Sequence, residues 1–291
     1  MISRRDLAQQ ALAAAARVRL RAGLGAYRSI CVYDLAQSMG IDLRFQAVAS
    51  LEGMYSPGDP PIVIVSALRP GGRQRLNCAH EIGHHLFRHG TRIDQLIEES
   101  SGPPRFDPDE FVVNCFAEYL LMPKLSVLSA LRTRNIVLDR VTAIEIFRAS
   151  NYFGVGYRTM LHHLEHNLGV LQPAPADALR KEAPKSIRAG IIGREVEGEL
   201  VVADEAWLGR PIDLHMGDIL LVPRGSLVEG KRLAEFGNAR HGELYLATSP
   251  GIGRVANESL QWASYVRVSR RVPAGGFVGR SIYRHEEEDD Q

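Results

Sequence analysis

In the stretch "NCAHEIGHHLFRHG", residues 77–90, two histidines and a glutamate have the types and spacing for water-splitting chemistry. His80 and His84 stand four residues apart, so on a helix both imidazoles leave one face about one turn apart, a separation that suits two ligands of one tetrahedral ion. Glu81 follows the first histidine, on the same side but rotated away, where it reaches a water beside the ion without binding the ion itself. An ion held there acidifies that water and polarises a scissile carbonyl, while the glutamate takes the proton. Two other histidine pairs share the spacing but lack the base. His85 and His89 have Leu86 where the base should stand. In "HHLEH", residues 162–166, Glu165 precedes the last histidine instead of following the first. Both pairs read as exposed helical histidines with no chemical role.

A catalytic site of this type needs a third protein ligand and leaves the fourth position to water. The stretch "DPDEFVVNCFAEYLLMPK" offers candidates on a second helix that Asp107 or Asp109 would cap and Pro123 would stop. Glu110 and Asn114 share one face, while Val113, Phe116, Leu120 and Leu121 form a core stripe. Glu110 as third ligand, with Asn114 touching the back of a ligating histidine one turn later, is a coherent arrangement. Glu118 is the rival, two turns further along; the bland alternative for Glu110 is a solvated first-turn carboxylate favoured by the helix dipole. Cys78 and Cys115 read as small buried hydrophobes.

The elements that must position these groups are legible around them. "MISRRDLAQQALAAAARVRLRAGL" reads as an amphipathic helix capped by Ser3, not as a signal peptide, because charged residues break its apolar run. A short helix ending at Gly40 follows, then strands in "IDLRFQAV", "LEGMYS" and "PIVIVSA", then the histidine helix from about Arg73 to His89. "SSGPPRFDP" reads as a loop. After more helices, residues 172–185 are Pro/Ala-rich without apolar periodicity and read as a linker. Beyond them, short alternating segments between Gly/Pro turns announce a β-rich region, and "RHEEEDDQ" reads as a solvated acidic tail.

With 291 residues the chain is long enough for two domains, and its net charge of +1 gives no global pull toward nucleic acid or an anionic membrane. Three scattered cysteines argue against a disulfide framework and for a reducing, cytoplasmic setting. No run of about 18 apolar residues is apparent, so no membrane span is expected.

"RPGGRQRLNCAHEIGHHLFRH" followed by "DPDEFVVNCFAEYLLMP" resembles the ImmA/IrrE family of metallopeptidases, with departures at Val113, Leu76 and Cys78. The similarity extends upstream through "VYDLAQSMGID" and downstream through "FRASNYFGVGYRTMLHHLEHNLGVL", roughly residues 30–172. The resemblance implies that His80, His84 and Glu110 are metal ligands and that Glu81 is the general base. It implies an α+β fold of four parts: a zincin-like metallopeptidase domain over 1–130, a helix-turn-helix-like subdomain over 131–171, the linker 172–185 and a GAF-like sensor domain over 186–291. The implied activity is cutting of a helix-turn-helix repressor of the XRE type, which releases a radiation and DNA-damage regulon. Zn2+ is the expected ion, and the ligand set also accepts Mn2+. The GAF-like part would take a small-molecule signal.

The region "AIEIFRASNYFGVGYRTMLHHLEH" has the helix, turn, helix layout of DNA readers, which raises a rival: a DNA-binding transcriptional regulator whose metal is structural. Its second helix offers Arg158 with His162, His163 and His166 beside Glu165, little positive charge for phosphates or base edges, so direct DNA binding is not expected. A scaffold that binds the repressor without cutting it is a third possibility. "GIGRVANES" lacks the strand and helix that a phosphate-binding glycine loop needs.

Overall fold

The computed structural model describes residues 3–95, 106–208 and 210–271, and the backbone of 277–280. The expected loop at 100–108 and the acidic tail at 284–291 lie wholly or largely outside the described residues. The fold is mixed α+β and divides into two compact units at residues 127/128, with a late strand, Phe277–Arg280, returning to the first.

The first unit opens with α1 (Arg4–Arg21), whose Ser3 and Asp6 form a reciprocal capping box that satisfies orphan amides at the helix start. Next come α2 (Val32–Ser38), β1 (Asp42–Gln46), β2 (Leu51–Ser56), β3 (Ile62–Ser66), α3 (Gly71–Phe87), β4 (Arg92–Gln95) and α4 (Pro108–Leu121). Four strands and the late strand make one sheet, ordered late strand, β1, β3, β2, β4. β1 and β3 run parallel; every other neighbouring pair is antiparallel. Alternate residues of β1 and β3, among them Leu43, Phe45, Val63 and Val65, are buried, as a sheet with one covered face requires. α3 packs on β2 and β3, and α4 packs between α3 and α1. The α4 stripe Val113, Phe116, Leu120 and Leu121 is buried as its periodicity demands.

Pro108–Thr133 is long and, on average, apolar enough to cross a membrane by length and composition, although polar residues interrupt it. More than half of that window is buried inside the protein, the pattern of a core helix.

In the second unit, α5 (Lys124–Thr133) leads into α6 (Ala143–Phe153), opened by a Thr142/Glu145 capping box and closed by Gly154 at φ 66°. α7 (Tyr157–His162) continues into a π-helical turn, residues 163–167. The stretch expected as a linker instead forms α8 (Pro173–Arg180) and the start of α9 (Pro184–Ile192). Each begins with a proline at a position that needs no amide hydrogen, and alanine favours the helix interior of α8. The Tyr157 hydroxyl donates to the Leu179 carbonyl (2.9 Å), tying α8 to α7. The β-rich part is two four-stranded sheets. β5 (Leu200–Val202), β7 (Ile219–Val222), β10 (Gly242–Ala247) and β9 (Leu233–Ala239) form one; β6 (Ile212–His215), β12 (Trp262–Ser269), β11 (Gly251–Asn257) and β8 (Leu227–Glu229) form the other.

Candidate metal centre

α3 carries His80, Glu81 and His84 on its inner face, and all three are buried. The two Nε2 atoms lie 3.1 Å apart, close to the edge of a coordination tetrahedron with metal–nitrogen bonds of about 2.0–2.1 Å. Asp107 caps α4, its carboxylate accepting from the Asp109 amide (2.9 Å) and the Glu110 amide (3.4 Å). That cap sets Glu110 in the first helical turn, with its oxygens 3.3 Å from His80 Nε2 and 3.6 Å from His84 Nε2. Asn114, one turn later, meets His80 Nδ1 from behind through its Oδ1 (3.0 Å), which leaves Nε2 to face Glu110. Gly83 lets the two helices approach: a Cβ there would lie 3.0 Å from Val113 Cβ and 3.1 Å from Phe116 Cδ1. Glu118 is not among the converging donors.

A fourth donor comes from β4. Asp94 Oδ2 is 2.9 Å from His80 Nε2, and one ligand atom each of His80, His84, Asp94 and Glu110 fall within 4.8 Å of one another. Two imidazoles and two carboxylates fit a divalent cation in donor type and number. The sequence reading missed Asp94 because a four-residue edge strand carries too little alternation to be seen.

The histidines behind the site correct another expectation. Arg88 takes the left-handed conformation (φ 57°) and ends α3, so His89 is not helical. The turn folds His89 back until its Nδ1 is 2.8 Å from His84 Nδ1. His89 Nε2 in turn lies 3.6 Å from Asp109 Oδ1, and Arg92 pairs with the same carboxylate at 2.8 Å. His89 therefore holds the back of a candidate ligand, as Asn114 does for His80. His85 is half-buried, its Nδ1 3.3 Å from the Tyr55 hydroxyl. Within "HHLEH", His162 and His166 are exposed as expected, while His163 is buried. Cys78 is fully buried; Cys115 is half-buried, with its thiol pushed up to about 11 by burial and by Glu118.

Glu81 is fully buried, and no protein donor reaches either of its oxygens. Burial raises its pKa well above the carboxylate norm, and the neighbouring Asp94 and Glu110 add to the rise against the pull of His80. A base held this way favours the protonated form once it has taken a proton. Its place is fixed by Gly53 of β2, where an added Cβ would fall 2.1 Å from Glu81 Oε1. β2 itself is tied to α3 through Glu52, whose carboxylate meets Arg73 Nε (2.9 Å), Arg69 Nε (2.8 Å) and Asn77 Nδ2 (2.7 Å). Burial opposes charge on Glu52, but hydrogen bonds from Asn77 and Arg73 prevail and lower its pKa.

With no ion bound, burial disfavours charge on His80, yet hydrogen bonds to Asp94 and Glu110 and the charge of Glu81 lift its pKa to about 10. Burial and then the charge of His80 push His84 down to about 4. A dication arriving at these rings would therefore compete with protonation of His80.

The family profile of the IrrE N-terminal-like domain, Peptidase_M78, matches residues 36–165, a span that contains α3, β4 and α4 and every donor above. Over residues 36–165 the chain is therefore similar to a metallopeptidase domain of the ImmA/IrrE kind. The radiation response metalloprotease IrrE of Deinococcus radiodurans is similar to it, 34% identical over 103 residues that cover 29% of this chain and 31% of the relative. The match spans about a third of that relative's length.

Proposed function

We propose that the chain is a site-specific, metal-dependent endopeptidase in which His80, His84 and Glu110 hold the ion and Glu81 is the general base. The observation that carries this reading is the convergence of both histidines and a carboxylate beside a fully buried glutamate that has no donor of its own. Zinc suits the nitrogen-rich set best, with manganese as an alternative. When bound, the ion would polarise the scissile carbonyl and acidify water. Glu81 would take the water's proton and return it to the leaving amine. Asn114 and His89 would hold His80 and His84 in register, and the Glu52 clamp would hold Gly53 behind the base.

The proposed substrate is a helix-turn-helix repressor of the XRE type, cut in the cytoplasm to induce a radiation and DNA-damage response; the similarity to a radiation response metalloprotease supports this. Within this reading, residues 1–130 are catalytic. The helix-turn-helix-like part (131–171) is a candidate substrate-docking surface, and the β-rich part beyond 186 serves as a GAF-like sensor or docking platform. Direct DNA contact is not part of the proposal. One observation favours the second reading, a regulator with a structural metal: the fourth donor, Asp94, would complete a closed site.

The test is incubation with candidate repressors and Zn2+ or Mn2+, wild type beside Glu81→Gln. The substitution keeps shape and ligands but removes the base. A discrete metal-dependent cut in the wild type, slowed at least about a hundredfold in the variant, supports the endopeptidase. Equal cutting by both, or stable repressor binding without any cut, refutes it.

A further inference from the structure

Asp94 occupies an unusual place. Its carboxylate lies 2.9 Å from His80 Nε2, and its ligand atom falls within 4.8 Å of those of His80, His84 and Glu110. In a three-ligand site the fourth position would be left to the water that Glu81 deprotonates. Asp94 belongs to β4, which among the described residues has four residues and a neighbouring strand on one side, and it pairs with Gly53 beside an irregularity in the β2 register. Gly53 is the residue that backs Glu81, so one strand pair bears on both the proposed base and the fourth donor.

We propose that Asp94 is a displaceable fourth ligand that closes the ion's coordination in the resting protein and opens it when an incoming carbonyl or water takes its place. This rests on the metal-site reading above and adds regulation to it. No bond in the chain is made or broken: one carboxylate oxygen leaves the ion and one neutral oxygen ligand replaces it. Two neutral histidines and two carboxylates balance a dication, so the closed state buries no net charge. Leaving would cost the contact with His80 and the pairing of a short strand that has one partner strand among the described residues. An ordinary open site would hold a water permanently; here the site would be protected until occupied.

The test uses the full chain loaded with Co2+, comparing wild type, Asp94→Ala and Asp94→Asn. Visible absorption, the count of exchangeable inner-sphere waters by proton relaxation, and titration with acetohydroxamate are the readouts. Asn keeps the size and hydrogen bonding of the side chain, and thermal melting confirms that each variant is folded. Expected is a wild type without exchangeable water, and variants that gain one and bind hydroxamate at least about tenfold more tightly. Cobalt affinity in the variants should fall by at least the roughly tenfold that loss of even an outer partner costs, because a direct ligand is removed. Saturating hydroxamate should bring the wild-type spectrum to that of the variants. An exchangeable water in the wild type with unchanged hydroxamate affinity in Asp94→Ala overturns the proposal and leaves the three-ligand site standing. A wild type whose spectrum never responds to hydroxamate shows a permanent ligand and overturns displacement. Absence of stoichiometric cobalt binding, with His80→Ala indistinguishable from wild type, overturns the metal site itself.

Discussion

Gly53→Ala tests how the base is held. The added Cβ would sit 2.1 Å from Glu81 Oε1, 3.0 Å from its Cδ and 3.2 Å from its Cγ, whereas ordinary contact begins at 3.4 Å. The carboxylate must therefore move by about 1.3 Å, the difference between 3.4 and 2.1 Å. Glu81 is fully buried, so there is no open solvent for it to swing into. A misplacement of about 1 Å costs on the order of a hundredfold in rate, or ~2.7 kcal/mol of transition-state stabilisation. Overpacking adds about 1–3 kcal/mol of lost stability. The assay is single-turnover cleavage of a repressor that the wild type cuts, beside metal titration and chemical denaturation. Metal affinity should stay near wild type because no ligand is touched. In the Glu81→Gln background the same change should add almost nothing, since the group it displaces no longer acts. A Gly53→Ala enzyme with full activity, or one that loses another hundredfold on top of Glu81→Gln, would refute the placement of the base.

Other expectations follow from the same geometry. Asn114→Ala removes the partner of His80 Nδ1 and should weaken metal binding about ten- to a hundredfold, measured by chelator competition, with little change in melting temperature. Gly83→Ala forces α3 from α4 by a few tenths of an ångström; overpacking of about 1–3 kcal/mol outweighs a helix-propensity gain of about 1, so the urea midpoint should drop. In the metal-free protein, His80 (raised to about 10) contributes stability that is complete below its ordinary 6.5 and is lost as pH climbs toward 10. Glu81, also raised, acts in the same direction, its contribution shrinking as pH rises above its ordinary 4.5. His84, lowered to about 4, loses stability as pH falls from 6.5 toward 4, opposing Glu81 there. Denaturation midpoints should therefore fall above pH 6.5 and be nearly flat just below it. Metal affinity should rise with pH by about tenfold per unit as the His80 proton is displaced, seen as proton release in calorimetry across buffers of differing ionisation enthalpy.

Where placement depends on spacing along one helix, the sequence by itself was sufficient. His80, Glu81 and His84 occupy one face because a helix repeats every 3.6 residues, and Glu110 and Asn114 follow from the same rule on a helix whose cap and core stripe are also local signals. The short segment Leu51–Ser56, next to the turn cluster "SPGDPP", reads as a strand and forms β2. What only the tertiary structure decided is what meets these faces from elsewhere in the chain. Asp94 enters the site through strand pairing across some forty residues, Gly53 through the packing of a sheet on α3, and His89 through one left-handed residue, Arg88. The 172–185 stretch became helical where composition suggested a connection, because proline at a helix start costs nothing and Leu179 and Ala176 found a place to be buried. Periodicity is written into a segment, but contact between segments depends on register, close approach and burial, which no single segment contains.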